Sequence, residues 1–241
     1  MSVIISSHSP NAVARAVDVL NSGGLVGLPT ETVYGLAARA DNDEAVAKIY
    51  IAKGRPSGHP LILHISDISE LHRYAARIPH AALALAQQCW PGPLTLLLHK
   101  TSEVSHVVTG GRDTVAIRVP ANDCARKIID LCGHAIAAPS ANVFGHVSPS
   151  TAQHVHDDLG ERVDLIVDDG NCSIGVESTI IDFTASHPQL LRPGGFPVED
   201  IESIIGEKVY EPSGDARASG MLASHYSPSC RVILAHDMNE A

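Results

Sequence analysis

Two hydrophobic periods alternate along the 241-residue chain. Apolar runs of about four to eight residues bounded by glycine or proline are typical of buried strands, whereas apolar positions three and four residues apart are typical of amphipathic helices. The short runs predict strands over residues 25–28, 61–65, 94–99, 114–120, 134–139, 163–168, 178–183 and 189–193. The helical spacing predicts helices over residues 10–20, 41–53, 79–90 and 122–131, from residue 151, and over 197–206.

The ends of the first helix show how boundaries are predicted. Ser9 is expected to cap it, with Pro10 at the first helical position and Gly23 and Gly24 closing it. The connections between later elements differ in length, and several are too short for a crossover helix. We therefore predict an α/β fold with a twisted sheet of mixed parallel and antiparallel strands, flanked by helices.

The composition changes after the last predicted helix. Residues 1–210 are expected to form the main domain, whereas the small and polar stretch at 211–228 indicates a linker. Residues 229–241 contain one strand-like run, and a lone strand cannot form a domain. We expect either that the chain stops short of a second domain or that this segment folds back on the first.

Composition also bounds the cellular setting. At this length, 44% hydrophobic residues are enough for one large core. The sequence has no apolar run near the about 20 residues of a spanning helix, and its start lacks the charged lead and apolar block of a secretion signal. The five cysteines include no C-x-x-C pair, which indicates reduced thiols. We expect a cytoplasmic protein with no membrane partner.

Charge narrows the partners further. The formal net charge of −10 argues against a surface that wraps nucleic acid. Only 5 of the 17 basic residues are lysine, and arginine suits bidentate contacts with carboxylate and phosphate. A small anion site is therefore compatible with this acidic protein.

Several common sites are absent from the sequence. It has no Walker A motif, no G-x-G-x-x-G, no H-E-x-x-H and no G-x-S-x-G, so a nucleotide would need another cradle. His154 and His156 are two positions apart on a predicted helix and point to different faces. We interpret them as surface residues and expect no metal site built by the protein.

Polar clusters interrupt the apolar pattern at strand ends, where ligands of α/β folds gather. The first, residues 28–36, combines three hydroxyls with the carboxylate of Glu31, and this density favours a site over a simple turn. In the second, residues 53–65, Lys53 and Arg55 flank a glycine on a proline-rich loop. That arrangement suits a polyphosphate and, equally, an ordinary solvated loop.

Two further clusters complete the set. The third, residues 138–151, places small residues around Ser140 ahead of a helix start, where backbone amides favour anions. The fourth joins residues 177–179 to Arg192. Arg118 lies within an apolar strand, and because arginine is seldom buried without an anion, it is expected to face a carboxylate or a ligand.

Taken together, the segments PTETVYGL, KGRP with HPLILHI, TVAIRVP, APSAN with SPS, and ESTIID with LRPG resemble the YrdC-like family of threonylcarbamoyl-AMP synthases. Each motif is weak alone, but five in the same order over roughly residues 10–206 argue against chance. The segment MLASHYSP resembles the linker of the longer members, where it folds over the active site and leads to a Rossmann-like domain.

The resemblance implies an enzyme, a nucleotidyltransferase. It would join L-threonine, bicarbonate and ATP into threonylcarbamoyl-AMP and pyrophosphate, with Mg²⁺ arriving on ATP. The product would serve threonylcarbamoyladenosine formation in tRNA and pass to a tRNA threonylcarbamoyl transferase complex. Direct binding of tRNA is expected to be weak or absent.

The same resemblance implies roles for individual residues. Lys53 and Arg55 would act in catalysis by neutralising phosphate charge. The residues implied for threonine are Thr32, His64, Arg118 and Ser178. The residues implied for ATP are Arg55, His59, Thr114, Ser140, Asn142, Ser148, Arg192 and His225, with Tyr226 closing over the ligand beside His225.

The sequence departs from the family pattern at two positions. His59 stands where the family often has asparagine, and Ser219 stands in the linker where proline is common.

Two rival functions remain as alternatives. One rival is an RNA-binding module, against which the net charge of −10 argues. The other is a carbamoyl-transfer domain like that of hydrogenase-maturation proteins, which normally accompanies acylphosphatase and zinc-finger segments that this chain lacks.

Overall fold

The computed structural model describes residues 3–212, which form eleven strands and eight α-helices. The strands are β1 Val3–Ser6, β2 Val26–Leu28, β3 Gly35–Arg39, β4 Ile62–His64, β5 Ala75–Ala76, β6 Leu94–Lys100, β7 Thr114–Arg118, β8 Ile136–Ala137, β9 Leu165–Asp168, β10 Thr179–Asp182 and β11 Gln189–Arg192. The helices are α1 Ala12–Asn21, α2 Asp43–Lys53, α3 Leu71–Tyr74, α4 His80–Cys89, α5 His106–Thr109, α6 Asp123–Cys132, α7 Ala152–Leu159 and α8 Val198–Ile205.

Local sequence explains most helix ends. Asn42 and Asn122 accept hydrogen bonds from the amides of Ala45 and Ala125, at 3.0 and 2.9 Å, and so satisfy donors that have no partner within the helix. The helix that ends at Lys53 stops because Gly54 adopts a left-handed conformation, which glycine reaches without a steric penalty.

All strands join one mixed sheet. Its order is β1-β9-β2-β3-β8-β4-β7-β6-β10-β11, and β5 pairs with β6 off this path. Neighbours are parallel in β1·β9, β2·β9, β4·β7 and β6·β10. They are antiparallel in the other pairs, such as β2·β3 and β6·β7. The predicted mixed sheet flanked by helices is therefore confirmed.

Alternation along the strands separates two helical layers. Leu36 and Ala38 of β3 belong to a core cluster with α2, α4, α7 and α8. Ala37, which points to the other face, belongs to a second cluster with α1 and α6. Burial of both faces is why these strands have continuous apolar runs rather than simple alternation.

The second face changes character halfway across the sheet. On β4, β7, β6, β10 and β11, buried apolar side chains form a small separate cluster and do not join the cluster of α1 and α6. Its members are Ile62, Leu97, Ala116, Ile180 and Leu191. This part of the sheet therefore offers a firm apolar floor on which a binding site can stand.

Most predicted elements occur within a few residues of their expected bounds, with one correction at the start of α1 and five omissions. Ser9 does not cap the first helix and Pro10 is not in it, because the chain makes a turn in which the amide of Ala12 donates to the carbonyl of Ser9 at 3.0 Å, and Asn11 takes the N-cap position. No sequence pattern predicted β1, β3, β5, α3 or α5. The strand β3 begins at Gly35, within the first polar cluster at residues 28–36.

Part of the predicted C-terminal organisation lies beyond residue 212, the last residue that the structure describes. Apart from residues 211 and 212, the predicted linker and the 229–241 segment lie outside the described residues. Among the helices of residues 3–212, none has the length and apolar character needed to cross a bilayer.

Candidate active site

A cavity opens on the sheet face that carries Ile62. Its wall brings together six of the residues expected to bind substrates, from all four polar clusters and from β7. They are Thr32, Arg55, His64, Arg118, Ser140 and Arg192. The remaining wall is formed by Thr30, Val33, Gly35, Ile62, Ala138, Pro139 and Glu177.

Arg118 reaches the cavity at the C-terminal end of β7. Its guanidinium forms a buried ion pair with Glu31 and donates to the hydroxyl of Thr32 at 2.8 Å and to the carbonyl of Gly92 at 3.1 Å. The second oxygen of Glu31 accepts the amide of Ala121 at 3.0 Å. The expectation that Arg118 faces a carboxylate is therefore confirmed within the protein itself.

His64 is paired with Arg118 in the register of β4 and β7. Burial and, next, the nearby positive charge of Arg118 lower the pKa of His64 to about 3. The imidazole is therefore neutral at physiological pH, with one ring nitrogen able to donate and the other able to accept. A neutral ring adds hydrogen-bonding capacity to the cavity without adding charge.

Arg192 organises the opposite wall. Its Nε and Nη2 donate to the carbonyl of Ser178 at 3.0 and 2.9 Å, and Nη2 also donates to the Ser178 hydroxyl at 3.0 Å. Glu177 lies 3.6 Å from Nη1 and accepts the hydroxyl of Ser148 at 2.7 Å. The Ser178 hydroxyl also contacts that of Thr95 at 2.7 Å. Ser148 and Ser178 thus support this wall from positions behind those that line the cavity.

Ser140 is placed by backbone pairing. It forms an isolated antiparallel bridge with Gly35, and the amide of Leu36 donates to the carbonyl of Pro139 at 2.8 Å. A Cβ at Gly35 would lie 3.2 Å from the Cβ of Ala138, a tight contact. Glycine therefore lets the Ser140 loop lie directly against the start of β3.

Lys53 lies behind the cavity wall. Its side chain is only 1% exposed, and its ammonium donates to the carbonyls of Ser140 and Asn142. Burial, with a further contribution from the charge of Arg55, lowers the pKa of Lys53 to about 7. The predicted contact of Lys53 with phosphate stays a prediction. Its position in the protein is that of a clamp on the Ser140 loop.

Arg55 and His59 share the loop after α2. Arg55 donates from Nη2 to the carbonyl of Pro60 at 3.0 Å, and its guanidinium carbon lies 5.6 Å from the centre of the Phe144 ring. His59 meets the same ring edge-on at 5.5 Å. Burial, then the charges of Arg55 and Arg112, lower the pKa of His59.

The other predicted ATP residues lie away from the cavity wall or outside the described chain. Thr114 begins β7, four positions before Arg118, and is not part of the wall. Asn142 is 1% exposed and donates to the carbonyls of Val143 and His146, both at 2.8 Å. His225 and Tyr226 lie outside the described residues. The ATP roles of all four stay predictions.

Sequence reasoning missed three contributors to the site. Glu31 and Glu177 stood inside recognised clusters, but neither was assigned a role. Thr95 carried a usable signal, because it is a polar residue in the apolar run LTLLLH, the same signal that identified Arg118. A polar side chain on a strand that is otherwise apolar is therefore a sign of this sheet face.

Residues 3–212 offer little for metal or thiol chemistry. This range has no group of three or more histidine, cysteine or acidic side chains that could hold a metal ion. Cys89, Cys124, Cys132 and Cys172 are free thiols. Burial raises the pKa of the Cys172 thiol to about 11, so it is protonated at neutral pH and a poor nucleophile.

Two protein-family models match consecutive parts of the chain. The Sua5/YciO/YrdC family model, described as telomere recombination, matches residues 18–194. A second model, described as threonylcarbamoyl-AMP synthase, C-terminal domain, matches residues 196–241.

Individual relatives are similar in sequence to most of the chain. A threonylcarbamoyl-AMP synthase of Pyrococcus abyssi is 50% identical over 91% of this chain and 66% of its own length. The Bacillus subtilis protein of that name is 44% identical over 98% of this chain and 70% of its own. The chain thus spans about two thirds of the length of these relatives.

A solved structure supports the same relationship. The crystal structure of P. abyssi Sua5 complexed with L-threonine aligns with a TM-score of 0.90 and 46% identity, covering 95% of this chain and 70% of that one. Sequence, fold and family models agree over the residues that build the cavity. The chain therefore belongs to the Sua5/YciO/YrdC family.

Proposed function

We propose that this chain is a threonylcarbamoyl-AMP synthase. It joins L-threonine, bicarbonate and ATP into threonylcarbamoyl-AMP and pyrophosphate, and the product serves tRNA modification. The names of the relatives and the threonine in the P. abyssi structure support the proposal. A cytosolic location belongs to the same proposal, and free thiols at the four described cysteines are compatible with it.

One observation carries the proposal more than any other. Three arginines, Arg55, Arg118 and Arg192, converge on one small cavity together with hydroxyls and a neutral imidazole. Guanidinium groups hold carboxylates and phosphates in fixed geometry. Such a set suits a site for an amino acid beside a triphosphate.

We place threonine at the Arg118 end of the cavity. A guanidinium has five N–H donors, and the bonds to Gly92, Thr32 and Glu31 use three of them. One donor on each terminal nitrogen can therefore serve the carboxylate of threonine. Thr32 and His64 in the wall offer a hydroxyl and an imidazole for its amino and hydroxyl groups, and Ser178 supports the wall from behind.

ATP then lies toward Arg55, Ser140 and Arg192. These residues supply two positive charges and a hydroxyl to a ligand rich in negative charge. Magnesium would be held mainly by the phosphates and by water, as is common for this ion. The carboxylate of Glu177 in the wall is a suitable additional ligand. When bound, the ion neutralises phosphate charge.

The proposed chemistry has two balanced steps. The amine of threonine attacks bicarbonate, which gives a carbamate and releases water. A carbamate oxygen then attacks the α-phosphorus of ATP, and the bond to the β-phosphate breaks with departure of pyrophosphate. The protein aligns the reactants and offsets the phosphate charge through Arg55 and Arg192. The reaction needs no covalent intermediate on a side chain.

Substrate omission tests the proposal. Purified protein is incubated with ATP, magnesium, threonine and bicarbonate, and pyrophosphate is measured together with the mass of the nucleotide product. We expect pyrophosphate and a threonylcarbamoyl-adenylate mass only when all three substrates are present. Pyrophosphate release that does not depend on threonine, or a product without the carbamoyl group, would contradict the proposal.

A further inference from the structure

Phe144 connects the two loops that carry the proposed ATP residues. Its ring lies 5.6 Å from the guanidinium carbon of Arg55, within the range of a cation–π contact. The ring of His59 meets it at an interplanar angle of 86°, an edge-to-face geometry that aromatic pairs favour. Its amide donates to the carbonyl of Lys53 at 2.8 Å.

The turn that presents this ring is firmly held. Asn142 donates to the carbonyls of Val143 and His146, and so spans the turn from inside. Asp158 braces it from outside by accepting the amide of Val143 at 2.6 Å and contacting the imidazole of His146 at 2.8 Å. The backbone that carries the ring is therefore held within the protein itself.

We propose that Phe144 is a positioning residue for nucleotide binding, because its ring fixes the guanidinium of Arg55 at the cavity wall. The inference rests on the proposed function and deepens it. Arg55 has a long side chain with many rotamers, and holding it before binding lowers the entropy cost of binding phosphate. His59, which lies on the same loop as Arg55, also contacts the ring and helps to hold it.

The simpler interpretation is that Phe144 only covers apolar surface. That role predicts equal losses for any smaller side chain and no dependence on Arg55. Positioning predicts instead that an aromatic ring is required and that the effect disappears when the guanidinium is removed. The two roles are therefore separable by experiment.

The experiment measures ATP binding to the full chain by calorimetry, with magnesium present. Phe144→Leu should weaken ATP binding by about threefold to thirtyfold, the range of one cation–π contact, and Phe144→Tyr should restore it. The KM for threonine should change much less than the KM for ATP. Val147→Ala, an exposed residue of the same loop, should match the wild-type protein.

A double-mutant cycle decides between the two roles. In an Arg55→Ala background, Phe144→Leu should cause no further loss of ATP binding. A full additional loss there, or wild-type ATP affinity in Phe144→Leu, would overturn the inference. If the wild-type protein binds ATP but releases no pyrophosphate with threonine and bicarbonate, the proposed function fails while the positioning test remains valid.

Discussion

Arg118 and Glu31 form an ion pair almost out of reach of solvent, with side-chain exposures of 4% and 8%. The pair joins β7 to the segment that follows β2, which is distant in the sequence. Each partner has further hydrogen bonds, to Thr32, Gly92 and Ala121. The guanidinium of Arg118 is thus held in place by contacts within the protein itself.

Glu31→Ala should lower the free energy of unfolding by about 3–5 kcal/mol, because it leaves a buried guanidinium without its counter-charge. Urea denaturation followed by circular dichroism measures this change. Asp123→Ala removes the exposed partner of Arg126 and should cost less than about 1 kcal/mol. Equal losses in the two variants would show that burial does not govern the Arg118 pair.

Arg118→Lys should raise the KM for threonine by about tenfold or more, because an ammonium cannot reproduce a bidentate contact with a carboxylate. The lysine can keep an ion pair with Glu31, so the fold should survive. The KM for ATP should change by less than about threefold, which corresponds to less than about 1 kcal/mol of binding free energy. Similar changes in both KM values would remove Arg118 from the threonine site.

Arg55→Ala should reduce pyrophosphate release by about 100-fold or more, the scale seen when a group that stabilises transition-state charge is removed. Thermal unfolding should show a folded protein. Arg126→Ala, on the surface of α6, is the matched control and should keep full activity. Undiminished turnover of Arg55→Ala would exclude this side chain from the mechanism.

His64 predicts a dependence of stability on pH. Its pKa is about 3 in the folded protein and about 6.5 when unfolded, so between these values the unfolded state binds more protons. Stability should therefore fall as pH decreases from about 6.5 toward 3, by up to about 1.4 kcal/mol per pH unit. Relative to His64→Asn, the wild-type protein should lose its advantage in urea melts from pH 7 to 4.5. A constant difference would contradict the buried, neutral state.

Gly194→Ala should destabilise the wall opposite Arg118. A Cβ at this position would lie 2.3 Å from the carbonyl oxygen of Glu177 and 2.5 Å from the amide of Thr179. Relief requires the backbone to move, at a cost of about 1–3 kcal/mol. Differential scanning calorimetry should show a lower Tm than for Gly58→Ala, where the added carbon has open space. Matching Tm values would mean that the two segments are farther apart in solution.

Sequence patterns predicted the mixed sheet and most helices because strand and helix periods are local properties. They also identified Arg118 as a buried cation in need of an anion, and that anion is Glu31. The same reasoning could not reveal that Lys53 turns toward the carbonyls of Ser140 and Asn142. Such a contact depends on how distant segments pack, which no local pattern encodes.

The strand β3 shows a different limit. Its residues follow three hydroxyl-bearing positions, whose density was interpreted as a site, and no strand was predicted there. Tertiary pairing with β2 and β8 overrides that local signal. The contact of Phe144 with Arg55 was likewise beyond the sequence, because it joins two loops whose separation only the fold determines.

Because of the small apolar cluster on the β4 to β11 part of the sheet, residues of the site can vary without a change in the folding core. Loops above that floor can change length or side chains while the layers beneath keep their packing, so new ligand preferences need not be accompanied by a new core. An engineer seeking a different ligand preference should therefore alter wall residues such as Thr32 and leave Leu97, Ala116 and Ile180 untouched.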